Sequence, residues 1–177
     1  MRPTSTRPGS GTRPRWLFCI TRIHGGWIVR DCMLDRFAME SNHQLNRVFV
    51  YGTLCRGQRN EGWWPHAPQQ VQSAFVAGRL FDLGPYPAMT PGTNWVRGEL
   101  WTLTIEQMAA TLAALDELED YRQREDDLYK RVVIDCHVGS PSQPPTPAYT
   151  YHYVAKLPPE AETQPDADGF CLSLIHI

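Results

Sequence analysis

The sequence predicts an α+β protein, with a small mixed or mainly antiparallel barrel-like sheet and one main amphipathic helix. Three observations predict it. Short stretches of strand composition recur along the chain between turn-rich segments, one stretch alone carries the helical period, and no internal repeat points to a solenoid or a tandem array. The chain has 177 residues, 42% of them hydrophobic, which is enough for one well-filled core and too little for two ordinary domains with tails.

Bulk chemistry narrows the function classes. A formal net charge of -2 leaves no basic excess, which argues against a nucleic-acid backbone as the main partner. Apolar runs are strand-sized, far short of a bilayer span, so no membrane association is expected. The five cysteines are odd in number and widely spaced, without a CxxC pair. That usage fits a reducing compartment, and a soluble, cytoplasmic protein is expected. The histidines are scattered; His137 and His152 fall on adjacent strand-like stretches but form no recognisable metal-ligand pattern, so no metal is expected.

Residues 1–45 begin with arginine, proline, serine, threonine and glycine and lack periodicity as far as Trp16. The composition is transit-peptide-like without an amphipathic stripe, and Trp16 to Ile20 is too short an apolar centre for a secretory signal. This segment reads as a disordered or non-native upstream leader, with Met33 or Met39 as the expected start. Arg47 to Tyr51 is the first strand of the folded unit, and Gly52 ends it. Glycine there frees the backbone and leaves the amides of Thr53 and Leu54 open to an anion, such as a carboxylate.

Gly57 to Ser73 reads as a polar loop able to cover a pocket, in which Trp63 and Trp64 are expected to anchor the loop. Ala74 to Leu83 is the second strand and ends in the turn Gly84-Pro85-Tyr86-Pro87. From Trp95 to Leu103, Trp95, Arg97, Glu99 and Trp101 alternate with Val96, Gly98 and Leu100, which predicts a strand with two different faces. Thr104 and Gln107 have capping-box spacing, and Ile105, Met108, Ala109, Leu112 and Leu115 fall at helical intervals, predicting a helix from Ile105 to about Leu118. Leu128 to Val138 and Ala148 to Ala155 are the remaining strands, joined by the loop Gly139 to Pro147. Residues 157–177 read as a tail whose end, Leu172 to Ile177, resembles the translation of a transposon end used in sequencing libraries.

The chemistry centres on the helix end, where Asp116, Glu117, Glu119 and Asp120 crowd together. Most of these carboxylates must be solvated, and Asp116 and Glu117 are assigned to the helix end or solvent. A helix that buries Leu115 carries Leu118 and Glu119 toward the same side, so Glu119 is the one expected to point inward. A carboxylate in apolar surroundings has its pKa raised toward neutrality, as a base that later acts as an acid requires. Cys55 adjoins the Gly52 turn but has no histidine partner, so it reads as a core or wall residue. Arg131 is expected to pair with the acidic segment. Tyr86 in the turn and Tyr151 and Tyr153 on the last strand are candidates to line a pocket.

Tyr51-Gly52-Thr53-Leu54 with Gly57 and Asn60, then Gly78-Arg79-Leu80, Asp82-Leu83-Gly84 and Tyr86-Pro87, then Val96 with Gly98-Glu99-Leu100, Leu115-Asp116 with Glu119 and Tyr121, and Tyr129 with Arg131, stand in one order. In that order they resemble the gamma-glutamylcyclotransferase-like proteins, in the branch of the plant avirulence-induced (AIG2-like) proteins and the gamma-glutamylamine cyclotransferases. The resemblance spans residues 46–156, taken as the domain. It implies a pocket where the loop Tyr51, Gly52, Thr53 and Leu54, gripping a gamma-glutamyl group, meets Glu119 as the proton acceptor, with no cofactor. It also implies release of 5-oxoproline and a free amine from a small-molecule gamma-glutamyl substrate. A second class of function remains open, a binding or regulatory module that keeps the pocket without turnover.

Overall fold

The computed structural model describes residues 19–23, 26–30 and 45–173. The chain divides into two units, residues 1–43 and 44–177. In the first, β1 (Cys19–Ile23) and β2 (Gly26–Arg30) pair antiparallel, from Cys19 opposite Arg30 to Ile23 opposite Gly26. The remainder of the stretch read as a leader lies outside the described residues.

The second unit contains β3 (Arg47–Val50), β4 (Gln70–Asp82), β5 (Pro87–Thr102), α1 (Ile105–Leu118), β6 (Tyr129–Val138), β7 (Pro145–Tyr153) and β8 (Phe170–Cys171). Five strands close on themselves in the order β3–β7–β6–β4–β5 and back to β3, so the sheet is a small barrel. Every pairing around it is antiparallel except β3 with β7, where Val48 lies opposite Tyr149 in parallel. The sheet is therefore mixed and mainly antiparallel, with one α-helix among the described residues, as the sequence predicts.

The apolar run of β3 has a physical reason. Phe49 and Tyr51 pack inside the barrel with Val76, Leu80, Met89, Val96 and Leu100. Val48 and Val50 pack outside it, with Trp101, Leu103 and the helix residues Met108 and Leu115. A strand buried on both faces has no need of alternation. β5 keeps the predicted alternation, with Val96 and Leu100 inside and Trp101 toward the helix. At Gly98 an added Cβ would lie 2.2 Å from the Val50 carbonyl oxygen and 2.7 Å from Cζ of Phe49. Closure of the barrel between β3 and β5 thus requires glycine at this point.

Three strand starts differ from the sequence reading by three residues or more. β4 starts at Gln70, inside the stretch read as loop, because Gln70 to Ser73 pair with Thr102 to Glu99. β5 starts at Pro87 rather than Trp95. Its register against β4 shifts between Gly78 and Arg79, so that residues 91–93 are extra on β5 and Pro91 and Gly92 sit in a bulge. A bulge frees proline from donating to the ladder, and this is what hid the first half of the strand. β7 starts at Pro145 instead of Ala148; there it pairs only with β6, and an edge tolerates proline.

The helix has the predicted bounds, and the Gln107 side chain accepts from the Thr104 N–H at 3.1 Å. The stretch read as a tail continues on the barrel beyond Lys156. Thr163 N–H donates to the Leu80 carbonyl at 2.8 Å, Arg79 Nε donates to Glu162 at 2.8 Å, and β8 runs parallel to β5 beyond the edge that β3 covers. Cys171 is fully buried in the inner core. Of the suspected scar, Leu172 and Ser173 are described and residues 174–177 lie outside the described residues.

Candidate active site

The helix end sets the site. Glu119 closes α1 with its N–H on the Leu115 carbonyl at 3.0 Å. Asp120 then adopts φ +48°, while Asp120 N–H bonds the Glu117 carbonyl at 3.3 Å and Tyr121 N–H bonds the Asp116 carbonyl at 2.8 Å. This is the Schellman arrangement, with an aspartate in the left-handed position that glycine usually holds. It stops the helix one residue after Leu118, so Glu119 stays on the inward side that Leu115 defines.

Glu119 lies on the wall of a cavity of about 340 Å³. Desolvation raises its carboxyl to about 7, and among the described residues no hydrogen bond or neighbouring cation offsets that shift. The opposite wall is the turn after β3, where Gly52, Thr53 and Leu54 line the cavity. Among the described residues the N–H groups of Thr53 and Leu54 donate to no acceptor, the Gly52 N–H turns to the Cys55 thiol, and Cys55 N–H closes the turn on the Gly52 carbonyl at 3.0 Å.

Four contacts hold this turn in shape. Asn60 N–H donates to the Thr53 carbonyl and Asn60 Nδ2 to Thr53 Oγ1, both at 2.9 Å. Trp64 Nε1 donates to the Leu54 carbonyl at 3.0 Å, and its ring stacks on Trp101 with centroids 4.1 Å apart. Trp64 is therefore the loop anchor, whereas Trp63 is exposed.

Gly52 has a different reason from the one its position in the turn suggests. Its φ is not in the left-handed region. Instead, an added Cβ would stand 2.4 Å from Cγ of Pro87, so glycine is needed for space where the turn meets the start of β5.

Tyr51 lines the cavity with its ring, and its hydroxyl is committed: it donates to the Tyr151 carbonyl at 3.0 Å and accepts from Met89 N–H at 3.2 Å. Tyr151 also lines the cavity and donates its hydroxyl to Asp116 Oδ1 at 2.7 Å. Arg131 Nη1 donates to Asp116 Oδ2 at 2.6 Å. Asp116, assigned to the helix end or solvent from sequence, is thus a half-buried clamp joining α1 to β6 and β7. Arg131 pairs with the acidic segment as expected.

Tyr86 is on the cavity rim, 39% exposed. Tyr153 is not among the lining residues; its ring packs edge-on against Tyr129, with centroids 5.1 Å apart. Cys55 is also absent from the lining, and desolvation pushes its thiol up to about 12. That excludes it as a nucleophile at neutral pH.

The cavity includes residues that the sequence did not mark as site residues: Asn60, Tyr129, Thr150 and the charged rim residues Arg59 and Arg124. The Tyr129 hydroxyl donates to the Pro87 carbonyl at 3.3 Å, and burial, then the nearby Glu119, raise its pKa. Tyr129 could have been found as the first residue of the strand that follows the acidic segment. Nothing local distinguishes Thr150 from any other strand threonine.

A family model described as "Gamma-glutamyl cyclotransferase, AIG2-like" matches residues 48–170. Among relatives, "Gamma-glutamylcyclotransferase family protein YtfP" of Escherichia coli (strain K12) is 36% identical over 94 residues, 53% of this chain and 76% of that protein. "Gamma-L-glutamyl-butirosin B gamma-glutamyl cyclotransferase" of Niallia circulans is 36% identical over 98 residues, 54% of this chain and 59% of that protein. Among solved structures, an AIG2-like protein from Mus musculus is 27% identical, with TM-score 0.50, over 67% of this chain and 83% of the mouse chain. Among the described residues no helix is long and apolar enough to cross a membrane.

Proposed function

The chain belongs to the gamma-glutamyl cyclotransferase, AIG2-like family, and on that premise we propose that it is an enzyme releasing 5-oxoproline and a free amine from a small gamma-glutamyl amine, peptide or conjugate. One observation carries this reading: a carboxyl raised to about 7, unpartnered among the described residues, shares a cavity with the uncommitted amides of Thr53 and Leu54.

A gamma-glutamyl amide brings its own nucleophile, the α-amine. Its α-carboxylate docks on the amides of the turn, which act as a concave donor site. That fixes the α-ammonium near Glu119. Ionised Glu119 takes one proton from the ammonium, and the freed lone pair attacks the γ-carbon to close a five-membered ring. Fixing the geometry of such a ring closure is worth effective molarities of roughly 10⁵ M or more, so the protein has only to position the chain and move protons. Glu119 then returns its proton to the leaving nitrogen as the C–N bond breaks. A carboxyl at about 7 is suited to both duties at neutral pH, since neither of its forms is scarce. Selectivity for the leaving amine falls to the outer rim, where Tyr86, Arg59 and Leu128 line the cavity.

The test is a panel of gamma-glutamyl alkylamines, gamma-glutamyl dipeptides and glutathione, with 5-oxoproline measured by liquid chromatography. Release from at least one member by wild type is expected. Binding of the panel without release would instead establish a binding module.

A further inference from the structure

One polar group on the cavity wall has no partner and no part in the steps above. Thr150, on β7, lines the cavity, its side chain is fully buried, and its Oγ1 hydrogen-bonds to nothing among the described residues. It belongs to the inward-facing row of β7, two residues from Ala148, which packs in the inner core. A valine would fill the same volume there without leaving a buried hydroxyl unsatisfied, an omission that ordinarily costs roughly 1–3 kcal/mol.

Three tyrosine hydroxyls on this wall are already engaged, Tyr51 with Tyr151 and Met89, Tyr151 with Asp116, and Tyr129 with Pro87, while Thr53 Oγ1 accepts from Asn60 Nδ2 and Tyr86 stands on the exposed rim. Thr150 is thus the fully buried hydroxyl among these lining residues that has no partner within the described residues.

Resting on the reading above, we propose that Thr150 is a catalytic residue of the same site, whose hydroxyl donates a hydrogen bond to the γ-carbonyl oxygen of the substrate. The assignment follows from the polar groups of a gamma-glutamyl unit. The α-carboxylate is served by the amides of the Gly52 turn and the α-ammonium by Glu119. The γ-carbonyl oxygen remains, and it is the atom on which negative charge develops. When the α-nitrogen bonds to the γ-carbon, the carbonyl π pair moves onto that oxygen; when the pair returns, the bond to the leaving nitrogen breaks. Of the three protons on the α-ammonium, one stays on the lactam nitrogen. A second travels through Glu119 to the leaving nitrogen, and the third passes from the ring nitrogen to the regenerated carboxylate and then to solvent. A donor in a buried wall strengthens as the oxygen becomes an oxyanion, because no water competes for it.

The experiment compares Thr150→Val and Thr150→Ser with wild type, using the best substrate of the panel above, 5-oxoproline binding by calorimetry, and thermal melts. Thr150→Val should keep its Tm or gain slightly, lower kcat by roughly 10², and change KM and 5-oxoproline affinity only a few-fold. Thr150→Ser should restore most of kcat. If wild type turns over and Thr150→Val matches it in kcat, the role of Thr150 is wrong while the enzyme reading stands. If Thr150→Val loses Tm and Thr150→Ser fails to restore kcat, the hydroxyl is structural and the proposal is also overturned. If wild type releases no 5-oxoproline, both readings fall together.

Discussion

Replacing Glu119 by glutamine should make the protein more stable in neutral and alkaline solution while abolishing turnover. The carboxyl sits at about 7 in the folded chain against an ordinary value of 4.5. Because the folded state holds the proton more tightly, the associated stability is fully present below about pH 4.5 and is lost as pH rises through 7. A shift of this size corresponds to about 3 kcal/mol at 1.36 kcal/mol per unit, an upper figure since Glu119 is only partly buried and water at the cavity mouth screens its charge. Glutamine has no charge to desolvate, and the cost of burying its amide does not vary with pH. The stability difference between Glu119→Gln and wild type should therefore grow with pH, by at most about 2 kcal/mol from pH 4.5 to 6 and at most about 3 kcal/mol by pH 8. In a domain of this size that is on the order of 10 °C in Tm. Urea melts of both proteins at the three pH values measure it. A difference that does not change with pH would refute the claim that Glu119 is a desolvated, unpartnered carboxyl. In parallel, kcat/KM of wild type should rise with pH through an acid limb near 7, and the variant should fall by roughly 10² to 10⁴ in rate. A variant as fast as wild type would remove Glu119 from the mechanism.

Gly52→Ala should destabilise the fold by roughly 1–3 kcal/mol, because the new methyl meets the rigid Pro87 ring at 2.4 Å, and an unchanged Tm would show that the turn and β5 can separate at no cost. Asp116→Asn should lower stability by about 1–3 kcal/mol through the weakened bonds to Arg131 and Tyr151, and should slow turnover by loosening the helix end that holds Glu119; Glu117→Gln, on an exposed side chain, should do neither, and equal effects of the two in melts and assays would refute the clamp.

Local pattern determined a large share of this protein. The bounds of α1 follow from a capping box at one end and the period of Met108, Leu112 and Leu115 along it, forces that act within a few residues. The inward direction of Glu119 follows from the same arithmetic, four positions after a buried leucine. The two faces of β5 near Trp101, and the brevity of β3, are likewise local, since side-chain alternation and strand propensity do not depend on what pairs with the strand.

What tertiary structure decided lies wherever two distant segments touch. The first half of β5 became a strand because a bulge against Gly78 and Arg79 removed the ladder position that Pro91 could not fill. Gly52 is required by Pro87 and Gly98 by the Val50 carbonyl, neighbours 35 and 48 positions away in sequence, so neither need is written beside the glycine itself. Asp116 stands among four carboxylates that look alike in sequence, and it differs from Glu117 only because barrel closure brings Arg131 and the Tyr151 hydroxyl to it. The same closure placed Thr150 on the cavity wall without a partner. Propensity and periodicity are properties of a short stretch of chain, whereas a hydrogen-bond partner, a steric limit or a desolvated pocket exists only once strands far apart in sequence have paired.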